Sequence, residues 1–177
     1  MTERIAVVLF NLGGPDTPEA VRPFLYNLFN DPAIIRLPTP LRRLVAWSIA
    51  RRRAPIARAI YDRIGGGSPL LANTEAQAAA LTQALNEDAL RVFVAMRYWQ
   101  PRADQTAASV ARFAPTRIVL LPLYPQFSTT TTASSLLDWG RAARAAGLDV
   151  PTHVVCCWPE TAGFAQASAA LIRPALR

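Results

Sequence analysis

The chain has 177 residues, 51% hydrophobic and 18% charged, a balance that suits one globular domain with a substantial core and excludes a disordered polar chain. All the positive charge behind its net +7 is arginine; with no lysine anywhere, Schiff-base catalysis and a P-loop lysine are excluded. The arginines are scattered apart from Arg42-Arg43 and Arg51-Arg52-Arg53, and no nucleic-acid motif accompanies them, so no nucleic-acid partner is expected.

Residues 5–10 form a continuous apolar run, the pattern of a strand covered on both faces. Gly13-Gly14-Pro15 turns the chain. Thr17-Pro18-Glu19 then offers an N-cap, a proline at the first helical position and an acid in the first turn. That helix is expected to reach Asn30, where Asp31-Pro32 stops it, and to lay its Phe24, Leu25, Leu28, Phe29 stripe on a sheet. Thr39-Pro40 repeats the start signal, with Leu41, Leu44, Val45, Ser48 and Ile49 on one helical face. Residues 55–64 read as a separate short helix closed by Gly65-Gly66-Gly67. Helices over 74–86, 103–114 and 134–146, the last closed by Gly147, alternate with strands over 91–96, 117–123 and 152–157. A final alanine-rich helix starts near Glu160.

This alternation predicts an α/β fold, a Rossmann-like parallel sheet of about four strands flanked by helices. The stretch 16–74 is a helical insertion between the first two strands, and such insertions usually carry function. Cys156 and Cys157 are neighbours and point to opposite faces of the expected strand, so they form no C-x-x-C pair, and at least one is expected to be buried. The amino terminus lacks the pattern of a signal peptide, and no apolar run reaches the length of a membrane span; a cytoplasmic protein is expected.

Ligands of parallel α/β sheets bind beyond the carboxyl ends of the strands. Three segments fall there: Asn11-Leu12-Gly13-Gly14-Pro15, Arg97-Tyr98-Trp99-Gln100-Pro101, and the run from Tyr124 to Thr132. Gly65-Gly66-Gly67-Ser68-Pro69 joins them from the insertion. Their chemistry is aromatic, hydroxylic and cationic, without Asp, Glu, His or Cys. Such a set predicts a cleft that holds a large, flat, partly anionic ligand and does not transform it alone. The single histidine, His153, reads as an ordinary strand residue.

Asn11 to Pro15, residues 61–69 (YDRIGGGSP), 95–101 (AMRYWQP) and 124–135 (YPQFSTTTTASS) resemble the motifs of ferrochelatases, in that family's order and spacing, over almost the whole chain. The resemblance implies insertion of ferrous iron into protoporphyrin IX, or coproporphyrin III in one branch, during haem synthesis. It implies two similar halves with the porphyrin cleft between them, 1–177 being the amino-terminal chelatase-like domain with its helical insertion around 16–74. Porphyrin contacts then fall on Arg53, Tyr61 and Ser68, with Arg97 and Tyr98 lining the same cleft and Tyr124, Gln126 and Ser128 counted with them. Leu12 lies above the macrocycle where Met or Tyr is more usual, and it cannot ligate iron. Ala133 replaces a glycine of the family pattern.

No catalytic residue is expected within the chain. The family's proton-accepting His, in a Ser-Ala-His-Gly segment, and its partner Glu belong to the second half, and the sequence reaches Arg177 before either. No resident metal or cofactor is expected; ferrous iron and protoporphyrin IX are substrates, and the absent carboxy-terminal half is the implied partner. Around Trp47, residues 37–53 suit a helix resting on an anionic membrane surface, and the family's corresponding lip makes peripheral contact with the inner membrane a second expectation. The rival readings are a catalytically incomplete tetrapyrrole-binding module and a chelatase for another metal or tetrapyrrole.

Overall fold

A computed structural model describes residues 3–176. Four strands, β1 (Ile5–Asn11), β2 (Leu90–Met96), β3 (Arg117–Pro122) and β4 (Thr152–Val154), form one parallel sheet in the order β2-β1-β3-β4. Among the described residues six α-helices flank it: α1 (Val21–Phe29), α2 (Thr39–Asp62), α3 (Leu70–Leu85), α4 (Ala103–Phe113), α5 (Ser134–Ala145) and α6 (Ala162–Ile172). The expected α/β architecture is present. Asn11 pairs with Met96 and Phe10 with Pro122, so β1, β2 and β3 finish level and their following loops share one edge.

Alternation along β1 sends Ala6, Val8 and Phe10 to one face, where they meet Ala95, Ile118 and Leu120 from the neighbouring strands. Helices α4 and α5 cover that face through Ala103, Ala107, Val110 and Trp139. Trp139 stands edge-on to Phe10 at 5.9 Å between ring centres, a favoured aromatic geometry. Helix α3 lies against β2.

The helical insertion packs on itself rather than on the sheet, which corrects the expectation for the α1 stripe. Val21, Phe24 and Leu25 bury against Ala50 and Ala54 of α2 and against Tyr98. Ala46, Ala50 and Ala54 recur every fourth residue, giving α2 a buried side of small residues along which α1 lies. That side continues across Pro55, and α2 is one helix of 24 residues rather than two. Its proline forfeits one backbone hydrogen bond, but packing of Ala50 and Ala54 on α1 holds the flanking turns in register.

Three further boundaries differ from expectation. Helix α1 starts at Val21, because the Thr17 hydroxyl accepts from the Ala20 N–H at 3.3 Å and closes a turn instead of capping a helix. A π-helical turn, Thr129–Ala133, leads into α5. Strand β4 stops at Val154, and both cysteines lie beyond it, exposed; the expectation that one is buried is wrong. All three residues of this edge strand are exposed.

Trp139→Ala empties the joint between α5 and β1, and the expected loss is about 3–5 kcal/mol of unfolding free energy, measured by urea denaturation. A loss under about 1 kcal/mol would show that this face of the sheet is not the core.

Candidate ligand-binding site

The loop after β1 is clasped from two sides. On one side the Ser68 N–H donates to the Pro15 carbonyl at 2.7 Å, and the Ser68 side chain lies so close that a Cβ on Gly14 would overlap its Oγ and Cβ. A Cβ on Gly67 would likewise meet the Asp16 carbonyl oxygen at 2.4 Å. Glycine at these two places is what permits the insertion to close on the strand end. On the other side the Arg97 and Tyr98 N–H groups donate to the Asn11 and Leu12 carbonyls, both at 2.9 Å, extending the β1–β2 ladder past the strands. Trp99 Nε1 donates to Asp16 at 2.9 Å, and Asn11 donates to the Thr74 hydroxyl of α3 at 2.9 Å.

Behind that clasp lies a buried charged network centred on Asp31. Its Oδ2 accepts from Arg97 Nη2 at 2.8 Å, from the Tyr98 hydroxyl at 2.8 Å and, at shorter range, from the Ser134 hydroxyl. Its Oδ1 accepts from the Ala33 N–H at 2.8 Å. Arg97 also donates through Nε to Ser134 Oγ at 2.7 Å and pairs with Asp138 at 3.3 Å. Burial pushes the Asp31 carboxyl upward, but the bonds from Ser134, the Ala33 N–H and Tyr98, with the Arg97 charge, outweigh it and hold the group below its ordinary value. Burial, then the bond to Asp31 and its negative charge, push the Tyr98 phenol well up, so it stays a neutral donor.

Arg97 and Tyr98 thus turn inward. Tyr98 joins the apolar cluster of Val21, Phe24, Leu25, Ala50 and Ala54, against which Leu12, Phe29, Tyr61 and Trp99 pack half-buried. The Arg53 guanidinium lies 5.8 Å above the Phe29 ring, exposed and with no ion-pair partner among the described residues. Leu12, Tyr61 and Arg53 therefore belong to one wall, apolar with a cationic rim. Burial raises the Tyr61 phenol pKa. Ser68 reaches this region through Pro15, and its Oγ accepts weakly from the Leu70 N–H at 3.3 Å, which leaves the hydroxyl proton free.

The third strand-end segment stands apart. Among the described residues Tyr124, Thr132 and Ser135 have buried hydroxyls without a hydrogen-bond partner, and burial pushes the Tyr124 pKa up to about 12. Gln126 is exposed. Ser128 caps the π-helical turn, accepting from the Thr130 N–H at 3.2 Å. Among the described residues no three His, Cys, Asp or Glu side chains lie close enough to hold a metal ion, and His153 is exposed on β4.

Sequence reasoning missed Asp31, Ser134 and Asp138. Asp31 reads locally as a helix stop, and its partners are 66, 67 and 103 residues away. Asp31→Asn is expected to lower the unfolding free energy by about 2–3 kcal/mol at neutral pH, because it removes the nearer of the two carboxylates that answer buried Arg97 and leaves only Asp138. The folded-state pKa lies below the ordinary 3.8, so the contribution is complete above that value and is lost as pH falls through the lower one. Urea titrations should show the gap between wild type and variant narrowing only in that acid range; a constant gap would mean the carboxylate charge contributes nothing.

The sequence matches the family model described as Ferrochelatase over residues 4–177. It is 57% identical over 174 residues to the ferrochelatase of Phenylobacterium zucineum (strain HLK1), covering 96% of this chain and 50% of that protein. It is 52% identical over 177 residues to the ferrochelatase of Caulobacter vibrioides (strain NA1000 / CB15N), covering 98% and 50%, and 50% identical over 170 residues to that of Wolbachia sp. subsp. Drosophila simulans (strain wRi), covering 94% and 54%. The chain spans about half the length of the curated relatives it matches. Leu12, Tyr61 and the glycine loop that closes on the first strand end lie in segments whose motifs pointed to this family, with Arg53 earlier on the same helix as Tyr61, and the chain belongs to the ferrochelatase family.

Proposed function

We propose that this chain supplies the tetrapyrrole-holding half of a ferrochelatase, which inserts ferrous iron into protoporphyrin IX, and that the further length found in its relatives supplies the proton acceptor. The supporting observation is the wall itself: Leu12, Tyr61 and Phe29 present apolar and aromatic surface, and Arg53 stands exposed at its edge without a counter-ion among the described residues. A porphyrin needs that combination, since its ring is flat and apolar and its propionates are anionic. Arg53 neutralises a propionate, Ser68 and Tyr61 donate near the ring edge, and Leu12 packs on the macrocycle. Holding the ring bent exposes pyrrole lone pairs to the incoming iron while two pyrrole protons leave. This wall carries no carboxylate or imidazole to take them. The reading calls for no resident cofactor, with iron and porphyrin both entering as substrates.

Arg53→Ala and Tyr61→Phe should each weaken porphyrin binding about tenfold, the worth of one hydrogen bond to a charged or polar edge. Porphyrin fluorescence measures this, and unchanged affinity in both variants would remove the assignment. With ferrous iron added, this chain is expected to bind porphyrin without consuming it. Loss of free porphyrin by this chain alone would favour a complete enzyme over a binding half.

No described helix is long and apolar enough to cross a membrane. We further propose peripheral contact through α2, where Leu41, Leu44, Trp47, Ile56 and Ile60 are exposed among Arg43, Arg51 and Arg52. Flotation with vesicles rich in anionic lipid should carry the protein upward, less so at high salt; absence of flotation would withdraw this contact.

A further inference from the structure

We propose that an arginine-lined pocket between the start of α2, the start of α4 and α5 binds a compact phosphate-type dianion. The pocket encloses about 280 Å³; it includes Arg97 and Tyr98, which turn inward, but none of Leu12, Arg53, Tyr61 or Ser68, to which the tetrapyrrole reading gives contacts. Four arginines line it, Arg42, Arg97, Arg102 and Arg141, against only two carboxylates, Asp31 and Asp138.

Both carboxylates are already committed. Asp31 is taken up by Arg97, Tyr98 and Ser134, and Asp138 is shared between Arg97 and Arg141, each at 3.3 Å. Arg42 spends its donors on neutral acceptors, the Asn30 and Leu37 carbonyls at 2.9 and 2.8 Å and the Thr39 hydroxyl at 3.3 Å. Arg102 makes no ion pair among the described residues. Two guanidinium charges are therefore left without an answering charge.

The position of Arg102 sharpens the point. It is the N-cap residue of α4, half-buried, where the helix already carries partial positive charge and a cation is unfavourable. Asn30 is also in the lining, and its Oδ1 is buried without a donor among the described residues. Guanidinium forks match the paired oxygens of phosphate, and several converging on one small cavity focus its field. A tetrahedral dianion supplies both the missing charge and enough acceptor oxygens for Arg102, Arg141 and Asn30 together.

Inorganic phosphate is the probe, titrated calorimetrically near neutral pH at constant ionic strength maintained with chloride. Saturable binding at one site is expected, weakened about tenfold by Arg102→Gln and unchanged by Arg52→Gln on the exposed side of α2. The Arg102 side chain makes no ion pair among the described residues and sits at an unfavourable helix end, so the variant's phosphate-free thermal melt should be no lower than that of wild type. Heteronuclear NMR of the wild-type protein gives a second readout, with phosphate expected to shift the Asn30 side-chain amide and the Arg102 Nε–H signals. Equal affinity in Arg102→Gln, no saturable binding, or shifts confined to other residues would overturn the site.

Discussion

Asp31 stands where α1 ends, and one of its oxygens receives donors from the exit of β2 and from the start of α5. Three stretches that are far apart in sequence meet at that atom. Taking a carboxylate and a guanidinium out of water costs several kcal/mol per ion, repaid only when geometry and additional hydrogen bonds are good. Here the Arg97 fork is filled on three sides, by Asp31, Ser134 and Asp138. The gain is in uniqueness of arrangement as much as in net stability, since slipping any of the three elements would strand a buried charge.

That arrangement decides what the candidate site presents. With Arg97 and Tyr98 drawn inward, the Tyr98 ring becomes the floor on which α1 and α2 rest, and Asn27 fixes α1 further by donating to the Tyr98 carbonyl at 3.1 Å. The insertion is then no longer a free flap. Arg53 and Tyr61, on the second half of α2, take their height above the sheet from this floor, and the Gly14–Ser68 approach fixes where the helix must return. A motif arginine and a motif tyrosine thus act on the wall from behind, by positioning it.

Local signals made the sheet legible. The apolar run of β1 and the alternation with helices mark strands and order, and Gly147 does close a turn after α5 with φ of +70°. The strand-end segments were legible as a group because the rule about carboxyl ends needs only topology. What local sequence could not carry was long-range packing. Pro55 looks like a helix break until Ala50 and Ala54 are seen packed on α1, and Thr17-Pro18-Glu19 looks like a helix start until Thr17 is seen closing its own turn. Asp31 gave no sign of its role, since a residue that ends a helix and one that anchors an ion network look alike in sequence. The cysteines misled for the opposite reason: an apolar local pattern suggested a covered strand, but only three residues of β4 pair with β3.

Apolar surface is left uncovered past β4 and on the sheet face turned away from α4 and α5. Helix α6 is apolar nearly all round, yet none of its residues is buried, and beside it Leu9, Leu81, Leu121, Leu123 and Trp158 line an open apolar hollow of about 320 Å³. A helix apolar on all sides needs cover on more than one, and an uncovered patch of this kind marks an interaction surface. Trp158 ties that surface to the candidate site, donating through Nε1 to the Pro122 carbonyl and through its backbone N–H to the Pro125 carbonyl, both at 2.9 Å.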